Sequence, residues 1–146
     1  MKDIQFNKDI YRILKEVHTD TGFTAKSYVI INNLIKYIIE KIVNNIKEII
    51  TIEQILKSIE LVFTEGLVKQ AKREITKYNE NRYDNNPGYG IISISGIKKI
   101  IKTLHEEEIS NNVAVCMAAI CGYIIAEVLE LSVNTAHYYK KKRITS

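Results

Sequence analysis

The chain has 146 residues, 46% of them apolar, with 21 Lys and Arg against 17 Asp and Glu and a formal net charge of +4. That length fits one domain or two small ones with a real core. A single Pro and six Gly exclude collagen-like and Pro- or Gly-rich disordered classes, and two Cys with no Trp leave little room for a disulfide scaffold. The 27 Ile add enough apolar surface for the chain to fold. Met1-Lys2-Asp3-Ile4 lacks the apolar run of a signal peptide. The longest uncharged stretch, Ile109 to Ala126, opens with Ser110, Asn111 and Asn112. It is short for a membrane span of about 20 residues, so it is expected to be a buried helix. An intracellular, reduced protein with no membrane partner is expected.

The pattern is all-helical. Ile10, Ile13, Leu14 and Val17 have helical spacing, and Thr19-Asp20-Thr21-Gly22 is turn chemistry that stops it. Thr24 then reads as the N-cap of a long helix with Lys26 and Ser27 in its first turn. Its apolar positions run from Ile30 through Ile46 and Ile49, a stripe wide enough to be packed on two sides. Thr51 with Gln54 forms a capping box that opens a short helix carrying Ile52, Ile55, Leu56 and Ile59. Glu65-Gly66 breaks the pattern, and Leu67 to Tyr78 is a further, polar helix. From Asn79 to Gly90, four Asn, two Gly and the lone Pro87 mark a linker. The second half repeats the design. Ile97, Ile100, Ile101 and Leu104 mark a short helix, His105 to Asn112 a polar loop, and Val113 to about His137 a long helix. That helix is rich in Ala and Gly, so a neighbouring backbone can come close. A basic run, Lys140 to Arg143, follows it.

Short, long, short is the helix triplet of the histone fold. Ile10 to Gly22, followed by Thr24-Ala25-Lys26, closely resembles the first helix and first loop of eukaryotic histone two-B. Ile31-Asn32 through Ile38 with Glu40-Lys41-Ile42 does so too, and Leu67 to Ala71 with Thr76-Lys77-Tyr78 looks like that histone's C-terminal helix. The second half is similar to histone two-A, in Ile97 to Lys102, Met117 to Ile120, Tyr123, Ala126 to Leu131, Asn134 and Lys140 to Ile144. The resemblance covers about residues 6 to 145, and the order and spacing of its motifs carry it. Fused two-B/two-A doublets are known from large DNA viruses, and this chain resembles a miniature one. The implied architecture is all-α, two tandem histone folds in one chain, the second lacking its third helix. The implied boundaries are 1–78 for the two-B-like fold with its C-terminal helix, 79–93 for the linker and 94–146 for the truncated two-A-like fold.

The resemblance implies DNA compaction in nucleosome-like particles, by phosphate contacts and minor-groove Arg without base reading. Arg143 matches the arginine that the two-A family inserts from its second loop, and Lys140, Lys141 and Lys142 would neutralise phosphates beside it. Thr24 and Lys26 belong to the neighbouring loop of the partner half. Arg12, Lys15, Lys98, Lys99 and Lys102 lie on the two first helices, which line the middle of the DNA path in this family. Without the resemblance, these charges read equally as a solvated tail and as plain amphipathic faces. Two departures cluster together. Glu108, with His105, Glu106 and Glu107, falls where an arginine normally faces DNA, and the loop at Ile50-Thr51 lacks the basic stretch of histone two-B. These two loops should be neighbours, so an asymmetric grip on DNA is expected, with Thr51 a remaining contact.

Glu127, Glu130 and Glu74 match carboxylates of the family's partner-binding acidic patch, while Gly122 and Gly66 stand where others would be. A missing third helix would leave an apolar groove along the second long helix, which favours assembly with a second histone pair or doublet. Cys116 and Cys121, five positions apart, lie about 140° apart on a helix and read as buried thiols rather than metal ligands. His18 falls inside the resemblance as a loop residue, and His105 and His137 have no partners at metal spacing. Gly88-Tyr89-Gly90 lacks the context of a dinucleotide loop. No nucleophile, base and orienter are grouped, so neither an enzyme, nor a cofactor, nor a small-molecule substrate is expected. The implied location is the virion and a viral factory or host nucleus. Two rival readings remain: a histone-fold protein-interaction subunit of a transcription complex, and an interfering histone that caps host assemblies.

Overall fold

A computed structural model describes the backbone of residues 5–17, 25–81 and 92–145, and the side chains of 5–15, 25–76 and 92–131. Among these residues the chain is all-α. Its helices are α1 (Asn7–Val17), α2 (Ala25–Asn44), α3 (Ile52–Val62), α4 (Glu65–Asn81), α5 (Ile94–His105) and α6 (Asn111–Thr145). The expected N-cap Thr24, the Thr19–Gly22 turn and His18 lie outside the described residues.

Local chemistry explains most of the boundaries. Thr51 is extended and its hydroxyl accepts the Gln54 N–H at 3.1 Å, which starts α3. Ser93 does the same for α5 through the Gly96 N–H, at 3.1 Å. At the end of α5, Glu106 takes the left-handed conformation with φ 54° and returns its N–H to the Lys102 carbonyl. The Thr64 hydroxyl accepts the Leu67 N–H at 3.4 Å, so α4 begins before the glycine.

Four expectations are corrected. The long helix α2 stops at Asn44, not near Ile49. The helical spacing continues through Ile46 and Ile49, but Asn44-Asn45 competes for backbone hydrogen bonds, and the Asn45 side chain donates to the Lys41 carbonyl. Ile46 and Ile50 reach the core from the loop, while Ile49 is 73% exposed. Gly66 is no breaker: the interruption falls at Phe63 and Thr64, and Gly66 sits in the first turn of α4. The linker is shorter than 79–93, because α4 runs to Asn81 and Ile92 is already in the core. Residues 82–91 lie outside the described set. Finally, α6 continues through 140–143 to Thr145, so the basic run lies on a helix and not in a loop. From Val113 onward α6 has no Pro, and its one Gly, Gly122, lies in mid-helix, so the sequence holds no strong breaker to end it.

One core contains residues from both halves, from Phe6 and Ile10 to Leu129. Its axis is α6, which packs against every other helix. The packing crosses between the halves. The first short helix, α1, lies mainly on the second long helix, α6, and less on α2; the second short helix, α5, lies equally on α2 and on α6; and α2 and α6 also touch each other. Every residue of α6 from Val113 to Ala126 is buried except Tyr123, which is half-buried. The expected apolar groove along this helix is therefore absent among the described residues, because α4 covers it. Asn111–Leu131 is apolar and long enough to cross a membrane, and most of it is enclosed by the other helices. Ala114, Ala118, Ala119, Gly122 and Ala126 let those helices approach.

One polar cluster is set into this core. Asn32, 6% exposed, accepts the Phe6 N–H and donates to the Asn7 side chain and the Tyr28 carbonyl. It ties the segment leading into α1 to α2. Ser58 bridges α3 to α2 by donating to the Ile42 carbonyl at 2.6 Å.

Candidate nucleic-acid interface

The exposed cations of α5 arise from its amphipathic pattern. Ile97, Ile100 and Ile101 are buried, which turns Lys98, Lys99 and Lys102 to the opposite face. Lys99 and Lys102 are exposed and Lys98 half-buried. The Lys98 ammonium donates to the Asn111 side chain at the start of α6. Lys102 pairs with Glu108 at 3.1 Å, both side chains being largely in solvent. Such an exposed pair contributes at most about 1 kcal/mol, so a phosphate can displace it.

On α1, Arg12 pairs with Asp9 at 3.4 Å, and the Lys15 ammonium lies 5.3 Å from the centre of the Tyr11 ring. Asp9 also accepts the Ser93 N–H at 3.0 Å through its other oxygen. This contact, which the sequence did not reveal, brings Arg12 beside the residue that starts α5. Lys26 is exposed in the first turn of α2, while Thr24 lies outside the described residues. The side chains of Lys140, Lys141, Lys142 and Arg143 also lie outside them.

At another place the two halves meet through loops, as the sequence leads one to expect. The His105 ring, through Nε2, lies 3.1 Å from the Val43 carbonyl, and the Ile50 N–H donates to both oxygens of Glu107 at 3.2 and 3.4 Å. Thr51 is exposed next to this junction. The glutamates have distinct jobs. Glu106 ends α5, Glu107 ties the loops together and Glu108 pairs with Lys102 in solvent. The sequence singles out Glu108 as the residue facing DNA, yet Glu107 holds the junction. A contact 57 positions apart leaves no local signal.

A second, acidic surface forms where α4 meets α6. Glu127 and Glu74 both raise the pKa of the Tyr123 phenol, on top of the larger effect of its partial burial. Glu127 and Glu130 are exposed one turn apart on α6. The three expected carboxylates thus come from two helices, with Glu74 and Glu127 both near Tyr123. Gly122 is buried, so a carboxylate at that position would enter the packed interior. Cys116 and Cys121 are buried free thiols. Burial pushes Cys116 up to about 12; burial and then the neighbouring Cys116 push Cys121 up as well. Among the described residues, no three His, Cys, Asp or Glu side chains are grouped to hold a metal ion. No protein-family model matches the chain.

Proposed function

We propose that the chain is a tandem histone-fold protein, of the miniature doublet kind, that binds and compacts double-stranded DNA without sequence preference. The observation that carries this reading is the crossed packing of α1 on α6 and α5 on α2, with the loop after α2 joined to the loop after α5. The helix triplet α1–α3, interlocked in this way with the helix pair α5 and α6, would make a pseudo-dimer within one chain. Arg12, Lys15, Lys98, Lys99 and Lys102 would then meet phosphates, with Lys26, Thr51 and the run Lys140 to Arg143 as further contacts. None of these residues reads bases in this scheme, and affinity is electrostatic. A second histone pair or doublet completes the particle.

The test is a salt titration on two unrelated duplexes of equal length. Equal affinities and a steep linear dependence of log Kobs on log salt are expected. Replacing Lys98, Lys99 and Lys102 by Gln should flatten the slope by about 0.9 for each phosphate that is no longer neutralised. A marked preference for one duplex, or no binding at low salt, would sink the reading.

The acidic surface supports a second reading. Tyr123, Glu74, Glu127 and Glu130 suit a cationic protein segment, which fits a protein-interaction subunit. Pull-down by basic peptides that is lost in Glu127→Gln, together with no DNA binding, would favour it.

A further inference from the structure

A cleft of about 350 Å³ lies between the segment leading into α1 and the first half of α2. Asn32 lines it and is fully engaged: its Nδ2 hydrogens go to the Asn7 side chain and the Tyr28 carbonyl, and its oxygen accepts the Phe6 N–H. Other polar groups on the lining are not. Asn7 gives one N–H to the Gln5 oxygen at 3.4 Å. Among the described residues, the Gln5 side-chain nitrogen, the Asn33 amide and the Lys36 ammonium have no hydrogen-bond or ion-pair partner. Lys36 is half-buried, so its charge is partly desolvated without a counter-ion. No carboxylate among the described residues lines the cleft. Val29, 57% exposed, adds an apolar wall.

We propose that this cleft binds a small monocarboxylate, whose oxygens take the Lys36 ammonium and the amide N–H groups of Gln5 and Asn33 and whose short apolar tail lies on Val29. The donor set decides the class of ligand. A carboxylate only accepts, at about four lone-pair sites, and the lining offers N–H donors in excess. One ammonium balances one negative charge, and the other donors are neutral amides. A phosphate dianion would keep an unbalanced charge here, and a cation would meet Lys36 with no acid to hold it. The volume lies at the lower end of the range for small-molecule sites, about 300–1,000 Å³. The Asn32 amide joins the two walls without any ligand, so the cleft is formed in advance. Gln5, Asn33 and Lys36 are not among the residues expected to meet DNA, and nothing in this site depends on DNA binding.

The measurement is amide NMR of the full chain, titrated with pentanoate, pentylammonium and inorganic phosphate at about pH 8, where phosphate is a dianion. Pentanoate should shift the Val29, Asn33 and Lys36 resonances and saturate. Pentylammonium, of the same length and opposite charge, should leave them in place, and phosphate should bind more weakly than pentanoate. Lys36→Gln should weaken pentanoate binding by about tenfold or more, the worth of a charged hydrogen bond. Lys41→Gln is the control for charge alone. It removes a cation from the same helix, one that lies 5.4 Å from the centre of the Tyr37 ring, and should leave binding nearly unchanged. If Lys36→Gln does not fold, Asn33→Ala, at an exposed position, takes its place and should weaken binding about two- to tenfold. Four results would each overturn the site: shifts that stay linear to high pentanoate, equal shifts with pentylammonium, tighter binding of phosphate, or a loss in Lys36→Gln or its substitute no larger than in Lys41→Gln.

Discussion

Along α2 the buried residues Ile31, Ile35, Ile38, Ile39, Ile42 and Val43 lie on one side, while Val29, Ile30 and Tyr37 stay exposed. Along α6 nearly everything from Val113 to Ala126 is buried. Both helices are long and apolar, so composition alone does not separate them. Residue size does. The branched Ile side chains of α2 fill the space to one neighbouring layer, whereas Ala114, Ala118, Ala119, Gly122 and Ala126 leave α6 thin enough to be surrounded. The fold is organised around α6, and α2, expected from its wide stripe to be packed on two sides, leaves Val29, Ile30 and Tyr37 exposed among the described residues.

The sharpest way to break this comparison is the same substitution on both helices. Ala118→Lys buries an unpaired ammonium in α6 and is expected to cost several kcal/mol, enough to unfold a domain of ordinary stability. Ile30→Lys, at a site 56% exposed, should change stability by no more than about 0.5 kcal/mol. Urea midpoints compare them, and equal losses would mean that α6 is not the axis of the fold. A smaller effect tests the same burial by pH. The folded chain keeps the Cys116 and Cys121 protons that the unfolded chain releases above the ordinary value of 9.0. Stability should therefore be full below that pH and fall as pH rises toward 12, by about 1.4 kcal/mol per pH unit per thiol. Urea midpoints that do not move above pH 9.0 would show the thiols to be solvated in the fold. The smallest effect lies at the cap of α3. Thr51→Ala should lose about 1 kcal/mol and Thr51→Ser almost none, as read by thermal melts; equal melts for the two would remove the cap from the account.

The same contrast explains what could be read from the sequence. The apolar spacing of α1, α3 and α5 and the Thr51 cap are local signals, and they place those helices well. The end of α2 misleads because Ile46 continues the helical spacing while reaching the core from a loop. The length of α6 misleads because its end is basic and polar, which suggests a loop, whereas the sequence there holds no strong breaker to stop the helix. The amphipathic face of Lys98, Lys99 and Lys102 is visible in the sequence for the same reason as the helix that carries it. Asp9 on Ser93 and Glu107 on Ile50 are not, because each depends on a partner more than fifty positions away.

The most direct test of the central claim is nuclease digestion of long DNA assembled with the chain, alone and with a second histone pair. The account predicts a discrete protected band, shorter than the roughly 146 bp of an ordinary nucleosome because the junction of the loops after α2 and α5 carries carboxylates rather than cations. A smear with no protected length would contradict DNA wrapping by this fold and leave the acidic Tyr123 surface as the site to pursue.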